Sequence, residues 1–164
     1  MKDVFLREVS EADYLCIVAI NDAEVQHTSP MDLPRLRDLD RLSAYHKVAV
    51  CDGKVVAFLL AMRESSLYEN ENFAWFSARY PKFLYIDRIV VDAKYGGLKI
   101  GTMLYRDIFH DARSNGVPVI TCEYNVIPPN EPSRAFHQKF GFSEVGSQWL
   151  SNNTKKVSMQ AADT

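Results

Sequence analysis

The stretch from Phe83 to Asn115 constrains the fold more than any other part of the chain. It opens with an apolar, β-branched run, Leu84 to Val91, which predicts a buried strand. Asp92 to Tyr95 link that strand to a loop carrying Gly96, Gly97 and Gly101. Ile100, Met103, Leu104, Ile108 and Ala112 then recur at three- and four-residue spacing, the single apolar stripe of an amphipathic helix. Asn115-Gly116 is a helix stop, because glycine readily takes the left-handed conformation that ends a helix. Strand, glycine loop and helix in this order bring free backbone N–H groups and the positive end of a helix dipole to one spot, which suits a phosphate.

Two phosphate motifs are excluded by spacing. No Gly, four residues, then Gly-Lys-Ser/Thr occurs anywhere. A dinucleotide fingerprint would need a second glycine where Leu98 stands, and an acidic residue on a second strand about twenty residues on. A nucleotide-dependent oxidoreductase is therefore disfavoured.

The string Gly96-Gly97-Leu98-Lys99-Ile100-Gly101, with Val91 before it and Leu104 after it, resembles the acyl-CoA loop of the GNAT superfamily of N-acetyltransferases. That family's pattern is Arg/Gln-x-x-Gly-x-Gly/Ala; here Gly96 replaces the usual Arg/Gln, and Lys99 replaces the middle glycine. A second string, Asn130 to Phe142, is similar to the family's Asn-x-x-Ala-x-x-Leu-Tyr-x-x-x-Gly-Phe. Asn130, Ser133, Phe136, Gly141 and Phe142 are in register, and His137 stands at the tyrosine. The resemblance covers Val48 to Val145 closely and the first forty residues loosely. It is nearest to a bacterial branch in which an aromatic segment runs into Tyr-Ile-Asp-Arg-Ile-Val-Val, a branch that suggests no substrate.

The resemblance implies a mixed α/β fold. Its features would be a mostly antiparallel, twisted sheet of about seven strands, a central splayed parallel pair, and about four helices on both faces. It implies acetyl-CoA as cofactor and a small-molecule or amino-acid-like amine as acceptor. The loop residues Gly96, Gly97, Leu98, Lys99, Ile100, Gly101 and Thr102 would cradle the pyrophosphate. Ile89, Val90 and Val91 would bind the pantetheine through their main chain like an added strand, with Asn130 and Phe136 beside it.

Composition sets outer limits. A chain of 164 residues fits one acetyltransferase domain, 1–164, burying about 70% of its unfolded surface. A net charge of −2 offers no basic field for nucleic acid. No apolar run reaches the ~20 residues of a membrane span, and MKDVFLREVS lacks the apolar core of a signal peptide, so no membrane partner is expected. Cys16, Cys51 and Cys122 are scattered and odd in number, which suits reduced thiols in a cytoplasmic protein; a monomer or homodimer is expected. No Cys/His spacing suits zinc, so no metal is expected.

In chain order, Val4 to Arg7 reads as a strand. Ser10, with Asp13 three residues on, caps a helix over about Glu11 to Ile20 with Leu15, Val18 and Ala19 inward. Asn21 to Pro30 reads as a polar loop. Asp32 and Pro34 open a second helix with Leu33, Leu36, Leu39 and Leu42 along it. That leucine stripe suits core packing, and the resemblance would make the helix pair a wall of the acceptor pocket. Val48 to Cys51 and Lys54 to Met62 form a hairpin across Asp52-Gly53. Arg63 to Asn72 reads as a loop. Phe73, Trp75, Phe76, Tyr80 and Phe83 then crowd one segment, either as a lid of core aromatics or, with Tyr85, as an acceptor pocket. Trp75, Phe76 and Tyr85 are the candidate acceptor contacts. Val117 to Glu123 reads as a strand, Asn125 to Pro129 as a break, and Asn130 to Lys139 as a helix. Phe142 to Trp149 and Lys155 to Met159 read as a hairpin across Asn152-Asn153.

Acetyl transfer to an amine needs a base for the ammonium, oxyanion donors, and a route for a proton to the leaving thiolate. Glu123, placed at a strand end, is the preferred base. Asp87 is a second candidate; within an apolar strand it needs a partner, for which Arg63 or Arg79 would serve. His137 could serve as acid, as base or only as a wall, since a neutral imidazole is a weaker proton reservoir than a phenol at pH 7. Lys99 either faces solvent or meets a phosphate, and Asn130 can cap its helix while bonding the pantetheine. His27, His46 and His110 have no special context, and Cys122 reads as core. The competing functional class is an acyl-CoA sensor without turnover, motivated by Lys99 and His137.

Overall fold

The computed structural model describes residues 2–25, 28–150 and 153–164. Seven strands form one sheet in the order β1-β2-β3-β4-β5-β7-β6. These are β1 (Val4–Glu8), β2 (Tyr45–Cys51), β3 (Lys54–Arg63), β4 (Leu84–Val91), β5 (Val119–Ile127), β6 (Ser143–Trp149) and β7 (Lys156–Asp163). The helices are α1 (Tyr14–Ala23), α2 (Leu33–Leu42), α3 (Glu71–Ser77), α4 (Ile100–Ser114) and α5 (Glu131–Lys139). β4 and β5 pair in parallel, Leu84 with Ile120 and Tyr85 with Thr121. The β1/β2, β2/β3, β5/β7 and β6/β7 ladders are antiparallel. The mixed α/β architecture expected from the sequence is therefore present, with α3 as an additional helix.

The backbone packs as two units, residues 1–62 with 86–108, and residues 63–85 with 109–164. In the first, Asp52 and Gly53 both take positive φ, +50° and +79°, the tight turn that the hairpin between β2 and β3 demands. Asp32 caps α2 by accepting from the Arg35 N–H, and Leu36 and Leu39 are fully buried. Four boundaries or faces differ from expectation here. Ser10 and Asp13 form a capping box, but it opens a 3₁₀ turn, Glu11–Asp13, and α1 follows it as far as Ala23. Asp13 is buried because Arg7 grips both its oxygens, at 2.7 and 2.9 Å. The inward face is accordingly Tyr14, Ile17, Ile20 and Asn21; Leu15 is 74% exposed and Ala19 is outside. β2 begins at Tyr45 rather than Val48, because Tyr45 pairs with Ala61 and its hydroxyl donates to Asp107 at 2.7 Å. Gly101 lies inside α4 rather than in the loop.

In the second unit α4 closes as expected. The Gly116 N–H bonds Arg113 O at 3.2 Å and the Val117 N–H bonds Ala112 O at 2.8 Å, with Gly116 at φ +67°. The segment read as loop and aromatic lid contains α3. Asn70 caps it by accepting from the N–H groups of Asn72 and Phe73. Seven residues are too short to show a helical stripe, which is why the pattern hid it. Phe73, Phe76, Phe83 and Tyr85 make one ring cluster with neighbouring centroids 5.6–6.4 Å apart. β5 runs to Ile127, four residues past the expected end, because β7 continues to pair with it through Lys156. β7 itself extends to Asp163. Of the expected turn Asn152-Asn153, Asn152 lies outside the described residues, as does His27; Asn153 has φ +54°.

Candidate active site

The glycine loop belongs to the first unit. Asp92 caps a 3₁₀ turn, Ala93–Tyr95, and residues 96–99 are exposed ahead of α4. Gly97 has φ +86° with nothing within 4 Å of an ideal Cβ, so the backbone here is open to close approach. Lys99 has φ +58°, the left-handed conformation for which the family's glycine is suited. The substitution thus keeps the bend and adds a cation at the opening of a fifteen-residue helix. The first N–H groups of α4 have no intrahelical acceptor, which is the property an anionic pyrophosphate needs. Ile100 is buried in the helix stripe, so only its backbone is available; Leu98 is 36% exposed. On β4, Ile89 and Val91 are half-buried and Val90 is buried.

Asp87 is also in this unit. Its ion partner is neither Arg63 nor Arg79. Arg88 Nε lies 2.7 Å from Asp87 Oδ2, and the Arg88 guanidinium also donates to Asn21 Oδ1 at 3.2 Å and Ser29 O at 3.0 Å. Both side chains are nearly inaccessible, at 7% and 4%. This arrangement ties β4 to α1 and the segment after it, a structural use of the carboxylate. Arg63 instead pairs with Glu64, and the Arg79 guanidinium lies 3.7 Å from the centre of the Trp75 ring.

The second unit carries Glu123. It lies mid-strand, not at a strand end as expected, two residues beyond the Tyr85–Thr121 pair of the parallel ladder. The Tyr85 hydroxyl is 2.7 and 3.0 Å from its two oxygens, and Asn72 Nδ2 donates to Oε1 at 3.0 Å. Asn72 Oδ1 in turn accepts from Gln148 Nε2 at 2.9 Å. The carboxylate is thus half-buried and held in place by a phenol and an amide. Asn72 and Gln148 were not legible as site residues. They lie 51 residues before and 25 residues after Glu123, and no linear motif joins them.

Two of the expected acceptor contacts are corrected. Phe76 and Tyr85 are both fully buried, so neither presents a surface to an acceptor. Phe76 packs against the Tyr85 ring, and the Tyr85 hydroxyl donates to Glu123. Trp75 is half-buried, its ring packed over Gly146 of β6.

His137 lies on the other side of β5 from Glu123. Successive strand residues face opposite ways, and it is Tyr124 whose ring lies 5.8 Å from the imidazole. Phe136 and Phe142 are also against it, at 5.5 and 5.2 Å. The ring is 5% exposed, and Nδ1 donates to Ser133 O at 2.6 Å. Burial pushes its pKa below the ordinary histidine value, and the Ser133 carbonyl only partly opposes that. His137 is therefore neutral at pH 7. Asn130 caps α5, accepting from the Ser133 N–H at 3.3 Å, and Phe136 is half-buried against Phe140. A cavity of about 670 Å³ opens on the Tyr124 side, lined by Tyr124, Asn130, Arg134, Gln138 and Gln160 among others; Glu123 does not line it. Cys122 is buried, and burial, with the neighbouring Glu123 charge, holds its thiol protonated, in keeping with a core role.

The family model described as "Acetyltransferase (GNAT) family" matches residues 7–142. The chain belongs to the GNAT acetyltransferase family. It is thereby an acyltransferase by family, and solved GNAT structures superpose on nearly its whole length. Ard1 from Thermoplasma volcanium has a TM-score of 0.81 at 16% identity, covering 98% of this chain and 97% of that one. The ribosomal-protein-S18-alanine N-acetyltransferase from Escherichia coli has a TM-score of 0.74 at 14% identity, covering 98% and 94%. The yncA protein from Salmonella typhimurium, solved with its cofactor acetyl-CoA, has a TM-score of 0.74 at 16% identity, again covering 98% and 94%. At these identities the likeness is one of fold. No curated protein matches the GNAT chain. Among the described residues no helix is long and apolar enough to cross a membrane, and no three His, Cys, Asp or Glu side chains are grouped to hold a metal.

Proposed function

We propose that this GNAT protein, as one domain over residues 1–164, transfers the acetyl group of acetyl-CoA to a primary amine of a small-molecule or amino-acid-like acceptor. The observation that carries the reading is the Glu123 carboxylate held by Tyr85 and Asn72. The N–H groups of residues 96–102, with Lys99, would hold the pyrophosphate. Main-chain groups of Ile89 to Val91 would bind the pantetheine amides and polarise the thioester carbonyl, with Asn130 and Phe136 also toward the arm. Bound acetyl-CoA supplies an activated acyl group on a thiol leaving group. Glu123 takes one proton from the incoming ammonium, through a bridging water, and leaves the nitrogen lone pair free to attack. As the C–N bond forms and the C–S bond breaks, the nitrogen gives up one of its two remaining protons, which neutralises the departing thiolate, and keeps the other in the amide. Neutral and buried, His137 serves as a wall rather than as the proton donor of the family's tyrosine.

Incubating the purified protein with acetyl-CoA and a mixture of small primary amines and amino acids tests this. Acetylated product found by mass spectrometry, with matching release of CoA thiol, is expected. Bound acetyl-CoA that stays intact with every amine would make the protein a sensor.

A further inference from the structure

The Glu123 carboxylate sits at the end of a chain of amides whose polarity is dictated from the edge of the sheet. A carboxylate only accepts, so Asn72 must turn its nitrogen to Glu123 Oε1, 3.0 Å away. Its oxygen then faces Gln148, which must offer its own nitrogen, at 2.9 Å, and which also reaches Glu71 O at 3.3 Å. Each amide can be placed only one way round. Asn72 is 8% exposed, so the amide has little water to exchange with. Gln148 lies on β6, the edge strand, and Gly146 stands two residues earlier on the same face. Trp75 packs on Gly146 so closely that a Cβ there would fall 2.7 Å from Trp75 Cη2. The edge strand thus grips α3 at two points, and α3 delivers the Asn72 amide to Glu123.

We propose that Asn72 and Gln148 are positioning residues, with β6 setting the orientation and ionisation of Glu123 through α3. This rests on the reading of Glu123 as base. Two donors fix the carboxylate's torsion and favour its charged form. Donation from Gln148 keeps the Asn72 amide from presenting its oxygen, which would repel Glu123.

The test is a pair of substitutions at Gln148. Gln148→Glu keeps the shape but can only accept. Asn72 would then give its nitrogen to the new carboxylate and turn its oxygen on Glu123. Gln148→Leu removes the polarity control and leaves the Asn72–Glu123 bond possible. Expected is a loss of about tenfold in kcat for Gln148→Glu and a smaller loss for Gln148→Leu, with KM for acetyl-CoA unchanged in both. The acid limb of the kcat/KM profile should also move to higher pH in Gln148→Glu. A merely structural Gln148 gives the opposite order, because glutamate preserves packing and leucine does not. A carbon-13 titration of the Glu123 side chain reads the relay without turnover, and its midpoint should rise in Gln148→Glu and Asn72→Ala. An unmoved midpoint in both overturns the relay. A moved midpoint with full turnover in Glu123→Gln supports the relay's geometry and overturns the base role on which the proposal rests.

Discussion

Gly146→Ala is a one-methyl change with a magnitude that can be worked out. Gly146 does not have positive φ, so backbone conformation resists nothing. The obstacle is the Trp75 ring, with Cη2 2.7 Å from the ideal Cβ position, against ordinary contacts of 3.4–4 Å. The ring must therefore retreat by about 1 Å. It is a rigid ring rather than a flexible side-chain end. Phe76 packs edge-on at 5.2 Å, and the Arg79 guanidinium covers it at 3.7 Å. Forced repacking of this kind costs typically 1–3 kcal/mol. For a chain of this length that lowers Tm by roughly 3–10 °C. Urea unfolding followed by Trp fluorescence and circular dichroism measures both. A change below about 0.5 kcal/mol, the scatter of harmless surface substitutions, would show that α3 and β6 are not held together at this point.

Three further outcomes are expected. Gly97→Ala puts a side chain at φ +86° in open space; it should cost about 1 kcal/mol of stability through the left-handed backbone alone. If the loop backbone meets pyrophosphate, the same change should weaken acetyl-CoA binding at least several-fold by calorimetry, and unchanged affinity would place the phosphates elsewhere. His137→Phe and His137→Tyr should both keep the rate within about threefold of wild type, rather than losing the 10²–10⁴-fold of a missing general acid; a large loss in Phe alone would restore His137 as proton donor. His46 and His137 both have pKa values pushed down by burial, so the unfolded chain takes up their protons first as the pH falls. Stability should be full above pH ~6.5 and drop below it, by up to about 1.4 kcal/mol per pH unit for each histidine until its folded pKa is reached. His137→Phe should flatten that slope, and unfolding free energy constant from neutral to mildly acid pH would contradict it.

The parts legible in the sequence are those set by local periodicity or turn chemistry. The β4–loop–α4 unit, the Asp52-Gly53 turn and the Asn130 cap each depend on residues close together in the chain. α3 was hidden because the Asn70 cap precedes only seven residues, and their aromatics read as a cluster without direction. On α1 the spacing suggests Leu15, Val18 and Ala19 as the inward face, whereas the buried Asp13, held by the part-exposed Arg7, and its 3₁₀ turn set the phase and turn Tyr14, Ile17 and Ile20 inward. Glu123 stands out in the sequence as an acid expected at the end of an apolar strand, though the strand runs on to Ile127. Its holders Tyr85, Asn72 and Gln148 come from a strand, a helix start and an edge strand, and only folding brings them together. Asp87, read as lying inside an apolar strand and in need of a partner, finds that partner in its own neighbour Arg88 rather than in Arg63 or Arg79. A partner next in the chain is not marked by any spacing.

The most direct measurement is CoA-thiol release by wild type and Glu123→Gln at saturating acetyl-CoA, with an acetylatable amine varied across pH 6–9. Wild type should turn over, and Glu123→Gln should lose roughly 10²–10⁴-fold in kcat/KM for the amine with acetyl-CoA affinity unchanged, as expected of a missing general base. That deficit should shrink at high pH, where the amine sheds its own proton. Equal rates for the two proteins at every pH would contradict Glu123 as the base and leave the amine to be deprotonated by solvent.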